Sequence, residues 1–189
     1  MKKSIYFLTS TILLTIAIGC SNQEPAISTK NSQQKTYNPI TQENINDTEI
    51  LNVKQIATEF KQTELEVSNY NKSITPDWIK QRKSKLEPLM TTNFLKKQAD
   101  NRKIALPLQI ASLEKTTLSI EDLQIQEKSV TKKNIDLTYS VTLMLKDKNK
   151  KIPLEDQLTF IKENGKWKVN NDIYNANKFQ EILDKHKRK

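Results

Sequence analysis

From Ile135 to Leu145 the chain alternates without a break. Ile135, Leu137, Tyr139, Val141, Leu143 and Leu145 are apolar, and Asp136, Thr138, Ser140, Thr142 and Met144 fall between them. A period of two over this length predicts a strand with one buried face. A second run places Ile152, Leu154, Leu158 and Phe160 on one parity. Asn164-Gly165 follows, a strong signal for a tight hairpin, because a type I′ turn needs positive φ at both central residues. The return strand carries Trp167, Val169 and Ile173 as its expected inward residues. Upstream, Leu118 and Ile120 stand on one parity and Leu123 and Ile125 on the other. That shift predicts a bulge or bend.

The segment before the strands has a helical period. Thr48 is the expected cap of a first helix, with Glu49 at the positive end of its dipole. Ile50, Val53, Ile56, Ala57 and Phe60 form its stripe, extended less regularly by Leu65, Val67 and Tyr70. Thr75-Pro76-Asp77 opens a second helix, with proline at the tolerated first position; Trp78, Ile79, Arg82 and Leu86 follow, and Pro88 interrupts. Thr91 or Thr92 caps a third, carrying Phe94, Leu95 and Gln98. The stretch 101–113 is ambiguous, and its apolar run at 104–110, containing Pro107, allows a loop clamped over the core. Ala176 to His186 gives a last short helix through Phe179, Ile182 and Leu183. Three helices, four antiparallel strands and a short helix make an α+β domain.

The first 47 residues follow neither period. Lys2 and Lys3 precede an apolar run over 5–18 that is short for a membrane span. Ala17-Ile18-Gly19-Cys20 resembles a bacterial lipobox, with Ala17 where Leu is more usual. The expectation is a signal peptide over 1–19 and a lipidated Cys20, the only cysteine of the chain. Residues 20–47, rich in Ser, Thr, Asn and Gln with Pro25 and Pro39, read as a flexible tether. It would hold the domain some tens of ångströms off the membrane by random-coil scaling. Lipidation puts the protein on the extracellular face of a cell membrane. The abundance of Lys, Asn, Ile and Gln points to a Gram-positive host.

Composition removes much chemistry. One histidine (His186, read as an exposed tail residue), one cysteine and two glycines leave no His–Cys metal set, no Cys–His nucleophile and no glycine-rich phosphate loop. The sequence therefore carries no catalytic, metal-binding or cofactor-binding assignment. The paired carboxylates Glu121-Asp122 and Glu155-Asp156 point to opposite faces of their strands. Asp156 shares the parity of Leu154 and Leu158, and a bulge is expected to turn it outward.

The formal charge is +9, and +7 once Lys2 and Lys3 leave with the signal peptide. Between positions 80 and 103, Lys80, Arg82, Lys83, Lys85, Lys96, Lys97, Arg102 and Lys103 face only Glu87 and Asp100. Lys185, Lys187, Arg188 and Lys189 add a basic tail. Such a stretch is an interaction patch for anionic lipid or wall polymer, or secondly for DNA through its phosphates, or else a solvated face. Without interleaved aromatics it does not suit specific nucleic-acid recognition.

The long amphipathic helix, the tryptophan helix, the run Leu86-Glu87-Pro88-Leu89-Met90-Thr91-Thr92-Asn93-Phe94-Leu95 and the hairpin Asn164-Gly165-Lys166-Trp167-Lys168-Val169 together resemble the NTF2-like fold. More narrowly, they resemble its VirB8-like branch. The resemblance spans 48–189 and implies a cone of three helices packed on a curved four-stranded sheet. VirB8-like proteins belong to type IV secretion, including that of Gram-positive conjugative elements. The resemblance thus implies a membrane-anchored assembly subunit, without enzymatic activity, that contacts other secretion-channel subunits and copies of itself. The alternative is an extracytoplasmic lipoprotein binding a small ligand or envelope polymer in a cavity lined by Trp78, Tyr139, Phe160 and Trp167. An enzyme ranks last, because NTF2-like enzymes generally place an Asp–His pair inside the cone.

Overall fold

A computed structural model of the chain describes residues 45–70, 74–174 and 177–187. The expected signal peptide, Cys20, nearly all of the expected tether, Arg188 and Lys189 lie outside them. The order of elements is α1 (Asp47–Leu65), α2 (Pro76–Leu86), α3 (Thr92–Asp100), a 3₁₀ turn (Lys103–Ala105), α4 (Leu106–Glu114), β1 (Leu118–Val130), β2 (Asn134–Leu145), a second 3₁₀ turn (Lys146–Lys148), β3 (Lys150–Glu163), β4 (Lys166–Tyr174) and α5 (Asn177–Lys187). The strands form one antiparallel sheet in the order β1-β2-β3-β4. The domain is α+β.

Capping sets the helix starts. Asn46, not Thr48, caps α1: its Oδ1 accepts the Glu49 N–H at 2.8 Å. Asn is the better N-cap, and the helix gains two residues by using it. Thr75 caps α2 with Pro76 at its start, and Thr91 caps α3 by accepting the Phe94 N–H at 3.2 Å. The 104–110 run is not a loop. Pro107 falls in the first turn of α4, where its missing N–H costs nothing, so Leu108, Ile110 and Ala111 are buried from a helix. Four helices therefore precede the sheet among the described residues.

The sheet keeps the predicted alternation where it is central. The odd positions of β2 from Ile135 to Leu145 are buried, as are Ile152, Leu154, Leu158 and Phe160 of β3. Asn164 and Gly165 take φ of 53° and 75° in the β3–β4 turn. The β1 bulge is present: the register against β2 slips between Glu121 and Gln124, with Asp122 at φ 53°. α1 lies against β1 and β4 and buries Val53, Ala57, Phe60 and Leu65. The valine, phenylalanine and leucine side chains contribute roughly 1.5–3 kcal/mol each when fully buried.

Each edge of the sheet is partly covered. Val67 bridges β1 at Leu118, and Met90 bridges β4 at Val169. At β4 the Val169 N–H donates to Leu89 O at 2.8 Å, and the Thr91 N–H donates to Val169 O at 2.9 Å. The segment ahead of α3 thus occupies edge groups that would otherwise invite another strand.

Candidate functional site

The inward face departs from an apolar core at one place. Counting in fours along α1 from Val53 gives Ala57, Lys61 and Leu65. The stripe that faces the sheet therefore contains a lysine. Lys61 is 1% exposed. It meets Asp172 because β4 carries a bulge of its own. Thr159 pairs with Asn171 and Phe160 with Val169, so Asn170 has no partner across the ladder and parity changes after it. The change turns Asp172 inward (4% exposed) and Ile173 outward (52% exposed). This reverses the expected inward placement of Ile173.

Lys61 Nζ donates to Asp172 Oδ2 at 2.6 Å, to Glu64 Oε2 at 2.9 Å and to the Tyr139 hydroxyl at 3.0 Å. The Tyr139 hydroxyl donates to Asp172 Oδ1 at 3.2 Å. Nζ also lies 4.1 Å from the Tyr139 ring centre and 5.3 Å from that of Phe60. An ammonium has three donors, and here three acceptors answer them. Glu64 comes from the same helix face, one turn after Phe60.

Charge in this cluster is contested. Burial pushes the Asp172 carboxyl up to about 7, although Lys61 favours its ionised form; the nearby Glu64 adds to the rise. Burial draws Lys61 toward the neutral amine, but Asp172 and Glu64 more than offset this and hold its affinity for the proton well above that of an ordinary lysine. Two carboxylates share one ammonium, so one of them retains a proton until near neutrality. Burial also raises Tyr139, which stays a neutral donor.

The basic stretch is not one surface. Lys80, Lys83, Lys85, Lys96, Lys97 and Arg102 are exposed. Lys96 pairs with Asp100 one helical turn on. Arg82 turns in: its guanidinium donates to the backbone carbonyls of Glu64 and Glu66, closing the end of α1. Lys103 is half-buried beside a void of about 10 Å³ bordered by Phe60, Glu64, Arg82 and Gln98. His186 is no exposed tail residue either. It belongs to α5, is half-buried, and its Nε2 lies 3.4 Å from Glu114 Oε1. Burying Phe179 and Ile182 against the domain brings that face of α5 to α4.

The four aromatics considered as a cavity lining do not share one. Tyr139, Phe160 and Trp167 are buried in the core, whereas Trp78 borders an open cleft with Gln62 and Arg82. Asp156 keeps its parity, since β3 pairs with β2 without a bulge there, and it stays half-exposed at an open groove with Gln124 and Gln126. Among the described residues no cluster of three or more His, Cys, Asp or Glu is placed to hold a metal ion, and no helix is long and apolar enough to cross a membrane.

Lys61, Glu64 and Asp172 are the functional candidates missed by the hydrophobic pattern. The i, i+4 spacing 53-57-61-65 places Lys61 on the core face, and 60-64 does the same for Glu64. Nothing comparable marks Asp172, whose direction depends on a bulge at Asn170. No protein-family model matches the chain, and no curated protein matches it.

Proposed function

We propose that the protein is a lipid-anchored, extracytoplasmic domain of the NTF2-like, VirB8-like type. It acts on no external substrate and serves as an assembly subunit of a conjugative type IV secretion complex. The observation that carries this reading is the closure of the interior. The buried Lys61, Tyr139 and Asp172, with the half-buried Glu64, satisfy one another through hydrogen bonds at the centre of the domain. Recognition then falls to the outside. The surface offers the exposed lysines of α2 and α3 and an open cleft of about 560 Å³ between α4 and α5. The cleft is walled by Leu106, Leu113 and Leu183 and edged by Arg102 and Lys187. Four helices, a four-stranded meander and a closing helix suit the fold, and Cys20 suits the anchor. The test is chemical crosslinking in intact membranes, capture of the full-length protein, and mass spectrometry of its partners. Enrichment of secretion ATPases or channel proteins is the expected result. Recovery of the protein alone, or only with itself, overturns the proposal.

A further inference from the structure

We propose that Lys61 and Asp172 condense within the folded chain to form an intramolecular isopeptide bond, with Glu64 as the proton carrier. A lysine amine attacks a carboxyl group only if several conditions meet. The nucleophile must be held against the carboxyl carbon, water must be kept out, and a base must stand beside the amine. Nζ is 2.6 Å from Asp172 Oδ2, so the carbon bearing that oxygen is the next atom along. Both side chains are about 1% exposed. Glu64 Oε2 is 2.9 Å from Nζ, within reach of the proton to be removed. The same Nζ donates to Oδ2, the oxygen to be expelled, so the two carboxyl groups meet at the one amine. The Tyr139 hydroxyl donates to the other oxygen, Oδ1, where negative charge collects as the carbon becomes tetrahedral. Phe60 and Tyr139 cover the amine with their rings.

The step balances without a co-reactant. The step starts from the minor proton distribution in which Glu64 has taken a proton from the Lys61 ammonium, an uphill transfer because the neighbouring carboxylates hold that proton tightly. The neutral amine attacks Cγ of the protonated Asp172, so the Nζ–Cγ bond forms. The Cγ–Oδ2 bond then breaks as Glu64 delivers its proton to Oδ2, which leaves as water. The amine's second proton passes to Glu64. The products are one amide, one water and a neutral Glu64, and the net charge of the group is unchanged. Fixed proximity replaces the activation that an intermolecular amide synthesis would need, and loss of water from a sealed site opposes the reverse reaction. The reaction occurs once, on the protein itself, so it is compatible with a domain that turns over no external substrate. The bond joins residues 111 positions apart. It ties the first helix, which follows the tether, directly to the last strand.

The test uses the full-length chain, purified folded and incubated at pH 7. Trypsin is expected to leave Lys61 uncut. Its peptide should appear joined to the peptide containing Asp172, at the sum of the two masses less one water. Lys61→Arg and Asp172→Ala should give only linear peptides. Glu64→Gln, which keeps both reacting groups, should condense about 10²-fold more slowly or worse, the usual scale for loss of a positioned acid–base group. Circular dichroism matching the wild type shows that this variant is folded. Wild-type protein that stays folded and yields only linear peptides, with cleavage at Lys61, overturns the proposal. A Glu64→Gln chain that condenses as fast as the wild type overturns the role given to Glu64.

Discussion

Asp172 and Glu114 are both buried carboxylates in contact with a lysine, yet their proton affinities move in opposite directions. Glu114, 5% exposed at the end of α4, accepts from Lys148 at 2.7 Å and faces His186. Burial alone would raise it, but the hydrogen bonds from Lys148 and His186 more than offset that, and its carboxyl sits below the usual range. Asp172 has the shorter contact to its lysine and still rises to about 7. The difference lies first in burial, the largest cause of the rise at Asp172, and then in the partners. Lys148 reaches solvent and gives Glu114 a cation whose own charge remains hydrated. Lys61 is sealed and divided between two carboxylates, so neither receives a full counter-charge. A buried carboxylate stays ionised because its cation is undivided and hydrated, and closeness alone does not achieve that.

The largest effect should come from removing Asp172. Asp172→Ala leaves the Lys61 ammonium buried beside Glu64 alone and deletes the covalent tie. The lost pair by itself should cost about 3–5 kcal/mol. Denaturant unfolding should show a lower midpoint, or no folded baseline at all. Lys61→Met with Asp172→Leu removes both charges and should recover most of the pair's share. If the double variant is no more stable than Asp172→Ala, the account of Asp172 as an offset charge fails. Glu64→Gln comes next. It retains the pair but not the bond, and should lose stability on the order of 5 kcal/mol, the chain-entropy scale for a cross-link closing a loop of about 100 residues.

These two predictions concern the residues that patterning reads least well. The regular parts were legible because one rule governed each of them. Alternation placed the β2 and β3 residues, Asn164-Gly165 placed the hairpin, Thr75-Pro76 started α2, and the parity slip after Ile120 announced the β1 bulge. The failures share a cause: two local rules competed and tertiary context chose between them. Pro107 reads as a breaker until the helix starts just ahead of it. Lys61 reads as solvent-facing by residue type and core-facing by spacing, and spacing won because Asp172 was present to meet it. Asp172 could not be anticipated. The β4 sequence offers Ile173 as the natural inward residue, and only the bulge at Asn170 overrides that choice. Local rules tend to yield in this way where a structure carries a site.

The opposite proton affinities can be sharpened by titration. Glu114 has a folded-state value below its unfolded one. Its contribution to stability is present above the ordinary carboxylate range and is lost as pH falls through the lowered value. For Asp172 before condensation the sign reverses. Its folded-state value is raised, so its contribution is full below the unfolded 3.8 and is lost as pH rises through the folded value near 7. Unfolding between pH 3 and 8 should therefore show Glu114→Gln flattening the acid limb at a cost of about 1 kcal/mol at neutral pH, since Lys148 is half in solvent. In freshly folded protein that has not yet condensed, with Glu64 in place, Asp172→Asn should flatten the neutral limb. In condensed wild-type protein the Asp172 contribution should be missing, because an amide does not titrate. If both carboxylate substitutions alter the same limb, the contrast between the two sites is wrong.

The smallest expected effect on stability lies on the surface, where it separates folding from recognition. Lys80, Lys83, Lys96 and Lys97 are exposed, and of these Lys96 has an exposed carboxylate partner, Asp100. An exposed i, i+4 pair contributes about 0.3–0.5 kcal/mol. Changing Lys96 to Ala should thus shift the unfolding midpoint barely beyond error, and changing all four to Glu should shift it little more. If recognition is external, the fourfold variant should instead lose the partners captured by crosslinking while keeping the fold and the Lys61–Asp172 bond. A variant that unfolds would show that these lysines hold the domain together. One that captures the same partners as the wild type would move the interface off the basic stretch, with the α4–α5 cleft the next surface to substitute.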